Sequence, residues 1–160
     1  MLKKFIYKID HYYNKDHDEY CLMIESDISK ENLAMIIAGI QLKFEELVDE
    51  SECIDEQHLL EILKKFYGVK DIKKEYARFL PYTCLEPSEW AMFNIFKIID
   101  KDKGTFKIIQ IDGYEARENS FYAKYKKQME ELMPADNKGF ESEIRNLRDY
   151  YPFLEIEEDK

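Results

Sequence analysis

Seven carboxylates, Glu45, Glu46, Asp49, Glu50, Glu52, Asp55 and Glu56, fall within twelve consecutive positions with no Lys or Arg among them, in a chain of formal net charge -10. A block of like charges repels itself and is favourable mainly in water or against a basic partner, so its natural chemistry is electrostatic attraction rather than catalysis. Pairs of carboxylates can also do general acid-base work. Thirty-four Asp and Glu residues make such pairs unavoidable in this chain and single out none of them.

Other chemistries have weaker footing. His11, Asp16, His17, Asp18 and Glu19 carry ligand types that suit zinc or manganese. Asp and Asn in that stretch are already accounted for by turn hydrogen bonding, and the spacing matches no familiar ligand set. Asp100-Lys101-Asp102-Lys103-Gly104 has the alternating acids of a calcium loop. A calcium loop counted from Asp100 would need Gly at its sixth position and Glu at its twelfth, and Thr105 and Ile111 stand there instead. Cys21 and Cys84 sit among apolar residues, as inert buried thiols do. Cys53 is expected to be more exposed, with carboxylate neighbours that blunt its reactivity. His58, at a helix start amid acids, is expected at the surface. GxSxG, HExxH, paired CxxC and glycine-rich phosphate loops are all absent. No catalytic residue, metal or cofactor is therefore expected.

The basic side chains set a further bound. Four arginines, Arg78, Arg117, Arg145 and Arg148, stand against twenty lysines. Arginine is the side chain that grips phosphate and guanine bidentately, so dedicated nucleic-acid binding is disfavoured. Lys64, Lys65, Lys70, Lys73 and Lys74 follow directly on the acidic run and make this part of the chain dipolar.

Length and composition define the frame that must position these groups. A chain of 160 residues, 45% hydrophobic and 36% charged, is not disordered and can bury roughly 70% of its unfolded surface without staples. One domain over residues 1–154 with an acidic tail over 155–160 is expected. Three widely spaced cysteines suit free thiols in a reducing compartment, and no run is apolar and long enough for secretion or membrane spanning. A cytoplasmic location follows as an expectation.

Hydropathy periods supply the elements. Phe5, Tyr7 and Ile9 alternate with Lys4, Lys8 and Asp10, and the apolar run Tyr20 to Ile24 follows a polar turn, which predicts a β-hairpin. Ser29 is a suitable N-cap for a helix whose stripe is Leu33, Ile36, Ile37, Ile40, Phe44 and Leu47. Asp55 can cap a second helix, with Leu59, Leu60, Leu63, Phe66 and Tyr67 buried and Gly68 as its stop. The acidic run then becomes the connection of an αα-hairpin. Ile72, Tyr76, Phe79 and Leu80 suggest a third helix ended by Pro81. Trp90 to Ile99 and Thr105 to Ile111 form a second hairpin around a turn. Helices are predicted from Glu115 to Met133 and through Phe140, Ile144, Leu147 and Tyr151. The sum is an α+β domain in which two β-hairpins form an antiparallel sheet, packed with the αα-hairpin and about three further helices.

Lys65-Phe66-Tyr67-Gly68-Val69-Lys70, followed by Tyr76-Ala77-Arg78-Phe79-Leu80, resembles the helix-loop-helix opening of the SMI1/KNR4-like immunity proteins over fewer than a tenth of the residues. The chain departs from that pattern in lacking a proline before the second helix and the Asn-Gly turn after it. The N-terminal hairpin has no counterpart there, and no functional residue carries over.

These features lead to an expectation of a non-enzymatic binding module: an inhibitor or immunity-type protein, of the kind encoded by phages or mobile elements, that blocks a basic nucleic-acid-binding site on a partner protein such as a nuclease. Carboxylates imitate the phosphate charge such a cleft receives, and tyrosines supply rigid contact area. The contact set is Glu45, Glu46, Asp49, Glu50, Glu52, Asp55 and Glu56 with Tyr12, Tyr13, Tyr150 and Tyr151. Direct contact with nucleic acid or membrane is not expected. The alternatives are a small metal-dependent hydrolase or nuclease using carboxylates, and a structural or regulatory subunit that homo-oligomerises.

Overall fold

A computed structural model describes residues 4–11, 22–49, 53–76, 91–100, 105–112 and 121–150. Ser29 opens the longest helix, α1 (Lys30–Leu47): its hydroxyl accepts from the amide of Asn32 at 3.2 Å. The second helix, α2 (Glu56–Tyr67), starts in the same way on Asp55, and closes on Gly68, whose left-handed φ of 63° a side chain would disfavour. Both starts and the Gly68 stop are where the sequence places them.

Among the described residues, five strands form one antiparallel sheet. β1 (Phe5–His11) pairs with β2 (Leu22–Ser26), and β4 (Ala91–Asp100) with β5 (Thr105–Asp112), which are the two hairpins expected. They join through β1 and β4, with Tyr7 opposite Lys97 and Ile9 opposite Ile95. A two-residue strand, β3 (Lys70–Asp71), adds itself to β2 and gives the order β3-β2-β1-β4-β5. Two residues are too few to show a period, so β3 has no signature in the sequence. Of the predicted third helix, α3 (Lys73–Tyr76) falls among the described residues, with Ile72 just before it; Phe79, Leu80 and Pro81 lie outside them. α4 (Phe121–Glu131), α5 (Asn137–Asn146) and a 3-10 turn (Leu147–Tyr150) complete the α+β fold. Residues 113–120 and the acidic tail also lie outside the described residues.

Side-chain alternation along β1 sends Tyr7 and Ile9 to one face, where Leu22, Ile24, Phe93 and Ile95 join them in the main core. The opposite face does not behave as a solvated one. Lys8, expected to point into water, is fully buried, with Met23 and Phe96 as its register partners and its ammonium 5.9 Å from the Phe96 ring centre. β1 is the middle strand of the five among the described residues, so Lys8 is flanked on both sides by side chains of neighbouring strands, Met23 on β2 and Phe96 on β4. The long aliphatic stem of lysine packs well there, and the aromatic face receives the charge.

α1 departs further from expectation. Instead of one apolar stripe it buries every residue from Leu33 to Gln41, then Phe44 and Glu45. A helix buried around its circumference must have neighbours on all sides. The sheet supplies them through β4 and β5, and α4 and α5 cover the remaining surface. α2 packs on α5, where Phe66 meets Phe140 edge-on at 5.5 Å and 84° and Lys65 pairs with Glu143. α5 is tied back to α1 by Lys43 and Glu141 at 3.3 Å, and the Tyr67 hydroxyl donates to the carbonyl of Leu132 at 2.9 Å. Phe44 and Leu63, from the two helices of the predicted hairpin, are both fully buried in this core.

Candidate functional site

The acidic run begins on the last turns of α1 and ends at the cap of α2. A helix C-terminus carries the negative end of the macrodipole, where lysine or arginine is favourable and carboxylate is not. α1 has no basic residue in its last turn, and Glu45 and Glu46 occupy it, with Asp49 just beyond. α2 and α5 behave in the ordinary way, ending in Lys64 with Lys65 and in Arg145. The acids at the end of α1 thus lie against its macrodipole, Glu46 being offset by Lys43 at 3.6 Å.

The structure divides the predicted contact residues into two groups. Glu46 is a surface residue, its side chain 64% exposed, and Asp49 and Glu56 are half-buried. Glu45 is a correction: only 7% exposed, it turns inward because α1 is enclosed, and it offers no surface to a partner. Asp55 is partly exposed but occupied. One oxygen accepts the amide of His58 at 2.9 Å and the other lies 2.8 Å from its Nδ1. His58 is accordingly drawn against the cap rather than standing free in water, its side chain 18% exposed. Cys53 is a second correction; it is buried and belongs to the main core. Glu50, Glu52, Tyr12, Tyr13 and Tyr151 lie outside the described residues, and Tyr150 closes the 3-10 turn. The structure therefore brings Glu46 and Asp49 to one helix end, places Asp55 and Glu56 at the next helix start, and withdraws Glu45.

Sequence reasoning missed what Glu45 does. Gln41, fully buried, donates through Nε2 to Glu45 Oε2 at 2.8 Å and accepts the Ile54 amide on Oε1 at 3.0 Å. A glutamine side chain thereby clamps the end of the acidic connection to the middle of α1, and a buried polar pair of this kind is favourable only while each group keeps its partner. The signal was present as a Gln and a Glu four residues apart within an apolar stretch. Gln41→Leu should lower stability by about 2–3 kcal/mol, because the Ile54 N–H and the Glu45 carboxylate each lose a buried partner. Hydrogen exchange at the Ile54 amide should accelerate with it; wild-type protection of that amide in the variant would show that the clamp is not what holds the connection.

Two phenols are strongly perturbed, and neither belongs to the acidic run. Burial, with a smaller contribution from Glu31, pushes Tyr7 far above the usual range, and its hydroxyl donates to the carbonyl of Ile28 at 2.6 Å. Burial alone raises Tyr67. Both act as neutral hydrogen-bond donors that tie segments together. Among the described residues, no group of three or more His, Cys, Asp or Glu side chains is placed to hold a metal ion, and no helix is long and apolar enough to cross a membrane. His17 and its acidic neighbours lie outside the described residues.

No protein family, curated protein or solved structure matches the chain. The short resemblance over Lys65 to Leu80 therefore brings no family with it.

Proposed function

We propose that this protein is a cytoplasmic, non-enzymatic binding module whose acidic surface at the end of α1 and along the connection to α2 engages a basic site on a partner protein, in the manner of an inhibitor or immunity protein. One observation carries the proposal: carboxylates gather at the C-terminus of a helix whose last turn holds no basic residue, with Lys43 beside Glu46 one turn earlier, an arrangement the macrodipole does not favour and a positive surface would. A partner built to bind nucleic acid presents such a surface, because it is shaped to receive closely spaced phosphates. Glu46, Asp49 and Glu56, with Glu50 and Glu52 between them in sequence, supply the attraction.

Affinity capture with the full chain from its native host, washed at low and at high salt, tests this. A basic protein retained at low salt and released at high salt is the expected result, since exposed charges more than about 8 Å apart are screened at physiological ionic strength. Recovery of no basic partner, or of one indifferent to salt, would contradict the proposal.

A further inference from the structure

We draw no further inference here: the strongest candidate, the half-open groove between α1 and α4 over Gly39, Leu42, Met129 and Met133, sets Lys43 and Lys126 against Glu46 and Glu130 at its rim, with Lys43 and Glu46 already paired at 3.6 Å, and nothing in the structure shows what covers it.

Discussion

Replacing Phe44 with Ala is expected to lower the unfolding free energy by about 3–5 kcal/mol. Phe44 is fully buried near the end of a helix that is itself enclosed by the sheet, α4 and α5, so the space it leaves has neighbours on several sides and little freedom to close. Loss of the ring removes its transfer free energy and adds the cavity term. Domains of this size are stable by only about 5–15 kcal/mol, so one such substitution consumes much of the margin. Leu63→Ala, fully buried on α2, should fall by about 2–5 kcal/mol for the same reason. Urea unfolding reads both. Midpoints equal to wild type would mean that neither side chain supports the shared core of α1 and α2.

Much of the fold was legible because local signals decide it. Ser29 and Asp55 announce helix starts through short side-chain oxygens, Gly68 announces a stop through its tolerance of positive φ, period-two alternation marks β1, and apolar runs set off by turn residues mark the other strands of the two hairpins. What sequence periodicity could not convey is who lies on the far side of an element. Lys8 alternates like an outward residue, yet its strand is central and its neighbours Met23 and Phe96 bury it. Glu45 falls off the apolar stripe of α1, yet it is buried beside Gln41 while its neighbour Glu46 is exposed. The run from Leu33 to Ile40 contains no polar residue at all, and that was the visible sign that this helix is buried around its circumference.

The candidate site was legible in charge and not in geometry. Seven acids in twelve positions looked like one surface, but helix spacing turns Glu45 into the core beside Gln41 and commits Asp55 to the cap of α2. The groove between α1 and α4 gave no sequence signal, because residues such as Gly39 and Met133, 94 positions apart, meet only through tertiary packing.

Charge reversal along the acidic run should have the largest effect on binding. In the quadruple variant Glu46→Lys, Asp49→Lys, Glu50→Lys, Glu52→Lys, attraction to a basic surface becomes repulsion, and the affinity for the captured partner should fall by about a hundredfold or more. At Glu46, the exposed site among the four that the structure describes as such, stability should change by only about 0.5 kcal/mol, and relief of the unfavourable charge at the end of α1 acts in the stabilising direction. Glu45 is left unaltered because Lys in its place would set an ammonium against the Gln41 amide donor inside the core, at a penalty of about 3–5 kcal/mol, and unfolding would then imitate loss of binding. Titration calorimetry of the captured partner with wild type and with this variant, at low salt and after matched thermal unfolding, addresses the central claim most directly. Binding lost from a variant that still folds is the predicted result; wild-type affinity in the folded, charge-reversed variant would show that the acidic face is not the binding surface.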